Sequence, residues 1–333
     1  MGQLVNGHWT NEPVLTNHDE KGLYYKRPSV FRDRITADGS SDFAAESGRY
    51  HLYCAVACPW AHRAVLFRVL KKLTPHLTLW NTFQEVDAQG KKGEGWSFGP
   101  EGHVVPGADK NVRWLHELYT IADPGCTTRV TVPTLWDAKT RRIVNNESSE
   151  IVRIFNDAFG GITGPTHDYY PEHLRGAIDE TNAFVLKGIN NAVNGCGYSI
   201  TQAAYDESVE LLFASLDALE ERLARQRYLC GDTQTEADWR LFPSLVRFDA
   251  LYYVAYKCNL RRLEDYPNLS NYLRELYQTP GIAEACDIAT MKRGVYSKAG
   301  PVGANGIIPA GPVVDHGRPH DRGRFSSKAA RKA

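Results

Sequence analysis

The alternation of apolar and polar residues becomes regular at Tyr50, after an irregular and mostly polar extension over residues 1–48. Alternate residues are then apolar as far as Val56, and this period of two predicts a β-strand. After Cys58 the apolar positions take helical spacing, and Pro75 ends that segment. The chain is therefore predicted to pass from strand to helix at the cysteine.

The same two periods continue to alternate further along the chain. A second strand is predicted over residues 77–82, followed by a glycine-rich insertion over residues 84–107. Asp109 is predicted to cap a second helix, a hairpin follows over residues 130–144, and Glu147 opens a third helix. The order strand, helix, strand, helix, strand, strand, helix is typical of a thioredoxin-like α/β arrangement.

Helical patterning alone follows a glycine-rich linker, Gly160–Pro165, and continues to about residue 290. One of the predicted helices begins with a capping box formed by Thr235 and Asp238. The sequence therefore predicts an α/β thioredoxin-like domain followed by an all-α domain. The predicted segments are an N-terminal extension at 1–48, the thioredoxin-like domain at 49–160, the helical domain at 166–290 and a C-terminal extension and tail at 291–333.

The composition indicates a globular protein without a charge bias. Of the 333 residues 42% are hydrophobic, and 39 Lys or Arg balance 39 Asp or Glu, so no net charge attracts nucleic acid or an anionic membrane. No apolar run approaches the length of a membrane span, and no secretion signal is visible. Seven cysteines argue against a disulfide framework. We expect a cytoplasmic protein whose basic tail beyond Pro319 is disordered.

Cys58 is the strongest candidate for chemistry because it lies where a strand gives way to a helix. Its sulfur would face unpaired backbone N–H groups and the positive end of the helix dipole. Both lower the pKa of a cysteine and make it nucleophilic at neutral pH. Pro59 suits the first helical position, where an N–H would be unpaired in any case. A buried structural cysteine is the less favoured interpretation.

A second thiol is missing from the position where a dithiol redox motif would have one, since Ala61 stands there. An outside thiol must therefore attack any mixed disulfide formed at Cys58. The spacing of Cys54, Cys58 and His62 resembles that of a metal site. However, Cys54 on a strand would not share a face with the other two, and no fourth ligand follows. We therefore predict no metal.

Two further motifs have the composition of ligand-binding edges. A proline that enters a strand, often in cis, would leave the backbone of Val132 free to pair with a peptide-like ligand, although a plain edge-strand proline explains Pro133 equally well. The N–H groups at the helix start suit a carboxylate beside Ser148, and Glu147 suits an ammonium group. Simple helix capping is the alternative.

Together these motifs resemble the glutathione transferase superfamily. The motifs are Cys58-Pro59-Trp60-Ala61-His62-Arg63, Val132-Pro133-Thr134-Leu135-Trp136-Asp137, Glu147-Ser148-Ser149-Glu150-Ile151 and Thr235-Glu236-Ala237-Asp238. The insertion with Trp96 and the late segments 292–296 and 306–312 resemble the Xi class, the glutathionyl-hydroquinone reductases. The resemblance covers residues 32–312, and it implies glutathione as co-substrate, no metal and a homodimer.

The resemblance also implies a mechanism. Cys58 would attack the glutathione sulfur of a glutathionyl-hydroquinone, and a second glutathione would resolve the mixed disulfide. Glutathione would be held by Trp96, Arg129, Val132, Glu147 and Ser148. Tyr198 and Tyr296 would act on the quinol ring through their hydroxyl groups, whereas Tyr253 and Tyr256 are better explained by core packing.

Two other functions stay open at this point. One is a general monothiol transferase that reduces protein–glutathione disulfides or dehydroascorbate, as the Omega class does; Tyr296 and the Trp96 insertion favour the quinol enzyme over it. The other is a non-catalytic redox-sensing module, in which Cys58 becomes glutathionylated without turnover. The expected partners are glutathione, glutathionyl-quinols and a second copy of the chain, and neither nucleic acid nor membrane.

Overall fold

The computed structural model describes residues 2–12, 17–25, 27–86, 92–300 and 305–325. The chain divides into two compact units, and each unit combines segments from distant parts of the sequence. The first unit comprises Met1–Thr16, Arg27–His167 and Arg293–Ile307, and the second comprises Asn17–Lys26, Asp168–Lys292 and Ile308–Ala333.

The strands of the described residues all belong to the first unit. They are β1 (Gln3–Val5), β2 (His8–Thr10), β3 (Ile35–Thr36), β4 (Phe43–Ala44), β5 (Tyr50–Cys54), β6 (Thr78–Asn81), β7 (Phe83–Val86), β8 (Lys92–Ser97), β9 (His103–Val105), β10 (Lys110–Val112), β11 (Thr134–Asp137) and β12 (Arg142–Asn145). The extension predicted to be irregular thus contains two short strand pairs, β1–β2 and β3–β4.

The central sheet of the first unit has the strand order β12-β11-β5-β6. Strand β5 runs parallel to β6 and antiparallel to β11, and Leu52 faces Leu135 in the register. All four side chains of β11 are buried, the polar Thr134 and Asp137 as well as Leu135 and Trp136, so both faces of the sheet are covered at this strand. This mixed sheet, crossed by helices, confirms the predicted thioredoxin-like α/β domain.

Among its described residues, the first unit also contains four complete helices and the last residues, 293–296, of a helix that begins in the second unit. They are α1 (Pro59–Leu70), α2 (Leu115–Ala122), α3 (Ser148–Asp157) and α4 (Gly160–Thr163). Helices α1 and α3 pack together. The segment predicted as a linker begins with the short helix α4, in which the carbonyl of Phe159 accepts the N–H groups of Ile162 and Thr163 at 2.9 and 3.0 Å.

The glycine-rich insertion forms two hairpins, β7–β8 and β9–β10; residues 87–91 within it lie outside the described residues. The prediction that Asp109 caps a helix is wrong. Asp109 has a φ of 50° in the β9–β10 turn, and Val112 ends a strand. Helix α2 begins only at Leu115, where the carboxylate of Glu117 accepts the N–H of Trp114 at 2.9 Å.

The second unit is helical, as predicted. Its helices are α5 (Arg175–Val185), α6 (Ala192–Tyr198), α7 (Gln202–Arg225), α8 (Glu236–Arg247), α9 (Tyr253–Ala255), α10 (Pro267–Tyr277) and most of α11 (Ile288–Tyr296), with π-helical turns at Leu186–Asn191 and Phe248–Tyr252. The predicted capping box at α8 is confirmed. Buried Asp238 accepts the N–H of Thr235 at 2.7 Å and the hydroxyl of Tyr272 at 2.7 Å.

The segment after Pro319 is ordered as far as Phe325, so the prediction of a disordered tail is wrong for residues 320–325. Arg322 is fully buried, and its guanidinium donates to the carbonyls of Leu223 and Gln226, both at 2.7 Å, at the end of α7. An arginine satisfies helix-end carbonyls well. Residues 326–333 lie outside the described residues.

Candidate active site

Cys58 immediately precedes helix α1, with extended backbone (φ −82°, ψ 117°) and Pro59 in the first helical position. The N–H of Cys58 donates to the carbonyl of Ala55 at 2.9 Å, and its carbonyl accepts the N–H of His62 at 3.1 Å. The first turn of α1 contains no acidic residue. Cys58 is half-buried, and its sulfur lies at the positive end of a helix, where a thiolate is favoured.

The backbone of Val132 lies beside this sulfur. The thiol of Cys58 donates to the carbonyl of Val132 across 3.7 Å, and the Val132-Pro133 peptide bond is cis. The pairing of β11 with β5 begins only at Thr134, which is opposite Tyr53. The backbone of Val132 therefore precedes the ladder and lies next to the reactive position.

Cys54 cannot replace a resolving thiol. Its side chain is 1% exposed, and burial raises the pKa of Cys54 well above its usual value, with the neighbouring Cys58 adding to the shift. Its sulfur faces the carbonyl of Ala61 at 3.8 Å instead. In the described part of the chain, no group of three or more His, Cys, Asp or Glu side chains is arranged to hold a metal ion.

The start of helix α3 forms a second polar edge. Glu147 is the cap: one carboxylate oxygen accepts the N–H of Ser149 at 3.2 Å, and the other accepts the hydroxyl of Ser29 at 3.0 Å. The hydroxyl of Ser148 is buried and has no partner among the described residues. A buried hydroxyl without a partner at the positive end of a helix fits a ligand carboxylate.

A buried hydrogen-bond network supports this edge, and sequence reasoning missed it. The hydroxyl of Tyr119 donates to the carbonyl of Thr131 at 2.9 Å, and the side chain of Asn146 donates to the same hydroxyl at 3.1 Å. The side-chain oxygen of Asn146 also accepts the N–H of Phe31 at 3.2 Å. The network joins the residue before Val132 to the residue before Glu147.

Trp96 and Arg129 belong to the same unit as Cys58. Trp96 lies in β8, opposite Gln84 of β7, and is half-buried. Arg129 is half-buried in the segment that leads from Thr128, bridged to Leu4, towards Val132.

The tyrosines predicted to act on a substrate ring lie in different parts of the chain. Tyr296 ends helix α11 and is 6% exposed. Tyr198 ends α6 in the second unit, and its hydroxyl lies 2.5 Å from that of Tyr256. Tyr253 is half-buried. Tyr256 is buried, as the packing interpretation requires, but it also makes a specific contact with Tyr198.

The N-terminal extension contributes to the surroundings of Tyr198, which sequence reasoning also missed. The ring of Tyr24 lies 5.1 Å from that of Tyr198, and Nε2 of His18 lies 2.9 Å from its carbonyl oxygen. Burial raises the pKa of Tyr256 well above its usual value, so Tyr256 stays a neutral phenol beside Tyr198. In this cluster the hydroxyl of Tyr198 lies within hydrogen-bond distance of the neutral hydroxyl of Tyr256.

Comparison with known proteins agrees with this architecture. The family model for the glutathione S-transferase N-terminal domain matches residues 57–158, and the model for the C-terminal domain matches residues 202–275. The fold and site thus have the organisation of a glutathione transferase.

Relatives are similar over nearly their whole length. The glutathionyl-hydroquinone reductase PcpF of Sphingobium chlorophenolicum is 43% identical over 94% of this chain and 97% of its own. The glutathionyl-hydroquinone reductase YqjG of Escherichia coli K12 is 41% identical, over 97% and 98%. The glutathione-bound structure of YqjG has a TM-score of 0.83 at 39% identity and covers 96% of this chain and 99% of its own. The Xi-class transferase of Natrialba magadii has a TM-score of 0.85 at 38% identity, over 98% and 97%. The chain therefore belongs to the glutathione transferase superfamily and, within it, to the Xi-class family of glutathionyl-hydroquinone reductases.

No helix in the described residues is both long enough and apolar enough to cross a membrane.

Proposed function

We propose that this protein reduces glutathionyl-hydroquinones to hydroquinones with glutathione as the co-substrate. The observation that carries the proposal is the position of Cys58: its sulfur lies at the amino end of α1, beside the backbone of Val132, and Ala61 stands where a resolving cysteine would be. The activity of the two bacterial relatives supports the same conclusion.

Two sulfur exchanges complete the reaction. The thiolate of Cys58 attacks the glutathione sulfur of the substrate, forming a Cys58–glutathione disulfide while the aryl–sulfur bond breaks. The ring carbon takes a proton, and hydroquinone leaves. A second glutathione thiolate attacks the mixed disulfide, which gives oxidised glutathione and restores the thiolate of Cys58. One glutathionyl-hydroquinone and one glutathione thus become one hydroquinone and one oxidised glutathione.

Five residues are proposed to bind glutathione, and the geometry of three supports distinct roles. The backbone of Val132, which precedes the sheet ladder, pairs with the cysteinyl part of the tripeptide. The unpartnered hydroxyl of Ser148, at the positive amino end of α3, takes the γ-glutamyl carboxylate, and Glu147 takes its ammonium group. Arg129 is assigned to the glycyl carboxylate as a forked donor, and Trp96 completes the site.

Tyr198 and Tyr296 are proposed to hold and protonate the quinol. The contact of Tyr198 with buried Tyr256 supports this role, because burial raises the pKa of Tyr256 and keeps it a neutral phenol whose hydroxyl lies 2.5 Å from that of Tyr198. Glutathione binding is assigned to residues 49–160, and quinol binding is assigned to residues 166–290 together with Tyr296 of the C-terminal extension. A cytoplasmic homodimer completes the proposal.

Hydroquinone release is the direct test. Purified protein is mixed with a glutathionyl-hydroquinone and glutathione, and wild type is compared with Cys58→Ala and with Cys230→Ala, which changes another incompletely buried thiol. We expect release by wild type and the Cys230 variant only, and a glutathione adduct on Cys58 when free glutathione is withheld. Equal rates in the wild type and the Cys58 variant would overturn the mechanism. Reduction of protein–glutathione disulfides without hydroquinone release would favour the general monothiol transferase.

A further inference from the structure

Helix α11 touches the turn that carries Cys58 at a glycine. A Cβ added to Gly294 would lie 2.5 Å from the Cβ of Ala57, the residue before Cys58, and both residues belong to the first unit. Ordinary contact at a Cβ begins at 3.4 Å, so the added atom would come about 0.9 Å too close. The next nearest atom is the Cα of Ala57, at 3.7 Å. The steric conflict therefore depends on one methyl group.

Glycine inside a helix is unfavourable by about 1 kcal/mol relative to alanine. Gly176 in helix α5 shows the contrasting case, because an added Cβ there would meet no atom within 4 Å. The close approach to Ala57 explains why a side chain is not tolerated at position 294, whereas no such contact excludes one at position 176. Gly294 is thus required by packing, at the expense of helix propensity.

The contact places the backbone just before Tyr296 against the turn that carries Cys58. Tyr296 follows Gly294 by two residues on the same helix, so their Cα atoms are only about 5–6 Å apart. Cys58 follows Ala57 directly, with Cα atoms about 3.8 Å apart. The Gly294–Ala57 contact therefore links the backbone close to Tyr296 with the backbone close to Cys58.

We propose that Gly294 is a positioning residue, which seats the Tyr296 end of α11 against the Cys58 turn and so sets the distance between phenol and thiolate. The inference rests on the proposed reductase function, in which Tyr296 acts on the ring whose sulfur Cys58 attacks. A displacement approaching 1 Å at a catalytic group lowers rates by up to about 100-fold. We expect Gly294→Ala to lower kcat for hydroquinone release by roughly 10- to 100-fold and to change KM for glutathione by less than about twofold.

A double-mutant cycle on the full-length protein tests the contact. The variants are Gly294→Ala, Ala57→Gly and the double variant, with Gly176→Ala as the matched control for a glycine-to-alanine change in a helix. Without the methyl group of Ala57, the nearest atom to the new Cβ is the Cα at 3.7 Å, so the clash disappears. Adding Gly294→Ala to Ala57→Gly should therefore change kcat by less than about threefold. Gly176→Ala should leave both kinetic constants as in wild type.

Two further readouts separate this inference from the proposed function. The rate of Cys58 alkylation by iodoacetamide and the midpoint of thermal unfolding are measured for wild type, both single variants and the double variant, and neither measurement needs a substrate. If wild type releases no hydroquinone, the proposed function fails, while non-additivity in these two readouts still supports the contact. The inference would be overturned if the effects of the two substitutions were additive in both readouts. It would also be overturned if Gly294→Ala kept the wild-type kcat and raised the midpoint of thermal unfolding. If Gly294→Ala does not fold, a folded double variant supports the contact, and an unfolded double variant contradicts it.

Discussion

Removing the hydroxyl of Ser148 should weaken glutathione binding without weakening the fold. The Ser148 oxygen is buried and has no partner among the described residues, whereas the hydroxyl of the adjacent Ser149 donates to Glu147 at 3.1 Å. The two serines occupy the same helix start, so Ser149→Ala is a matched control for Ser148→Ala. Ser148→Ala should therefore weaken glutathione binding but not the fold, whereas Ser149→Ala should weaken the fold but not glutathione binding.

The expected magnitudes follow from the hydrogen bonds. A buried hydroxyl without a partner costs about 1–3 kcal/mol, so Ser148→Ala should leave the free energy of unfolding unchanged or raise it by up to about 1 kcal/mol. If glutathione supplies the missing carboxylate partner, the variant loses a charge-assisted bond of about 1.5–3 kcal/mol. The Kd for glutathione should therefore rise roughly 10- to 100-fold. Ser149→Ala should cost about 0.5–1 kcal/mol of stability and change Kd by less than about threefold.

Two measurements on each variant suffice. Urea unfolding without ligand gives the free energy of unfolding, and titration calorimetry gives the Kd for glutathione. A Ser148→Ala variant that is destabilised by more than about 1 kcal/mol and binds glutathione as wild type does would refute the assignment, because the hydroxyl would then serve the fold.

Two further predictions concern stability. Arg49 donates to both oxygens of fully buried Asp137, at 2.8 and 2.6 Å. Arg49→Met should therefore lower the free energy of unfolding, measured with urea, by about 3–5 kcal/mol. The control Arg142→Met, which breaks only exposed ion pairs, should lower it by at most about 1 kcal/mol. Burial, with a smaller contribution from His51, lowers the pKa of His103 to about 4. As the pH falls, His103 is protonated in the unfolded chain before it is protonated in the folded protein. The free energy of unfolding should therefore fall by about 1 kcal/mol, after solvent screening, as the pH drops from about 6.5 towards 4.

Each of these predictions has its own contradiction. Equal losses in the two arginine variants would show that the buried pair adds nothing beyond a surface pair. For His103, the unfolding free energy measured by urea at several pH values should depend less steeply on pH in His103→Asn than in wild type. His76→Asn, which changes a ring bonded to exposed Ser47, is the matched histidine-to-asparagine control, and the His103 variant should depart from wild type more than this control does. An unchanged slope in the His103 variant would exclude this residue as the source.

Local patterns predicted what local physics determines. The strand-to-helix turn at Cys58 and the capping box of Thr235 and Asp238 depend on residues within a few positions of one another, and both are confirmed. The prediction of a helix cap at Asp109 failed because aspartate, a common capping residue, also suits a left-handed turn. In addition, the apolar Val112 fits a strand as well as a helix.

Long-range contacts were beyond such reasoning. Ser29 reaches the carboxylate of Glu147 across 118 positions, and no periodicity marks it. The burial of Arg322 depends on the carbonyls at the far end of α7, so its basic surroundings in sequence suggested a solvated tail instead. The contact of Gly294 with Ala57 likewise joins distant parts of the chain. Residues of this kind become visible only when the fold has brought their partners together.

The exchange of segments between the two compact units limits how the protein can be dissected. The thioredoxin-like unit needs residues 293–307 from the far end of the chain, and the helical unit needs residues 17–26 from its beginning. A gene cut after Gly164 would deprive each half of a piece encoded in the other. Synthesis of the second half must therefore be complete before the first half holds all its native contacts, and co-expressed fragments, rather than either fragment alone, are the natural route to a split version of the enzyme.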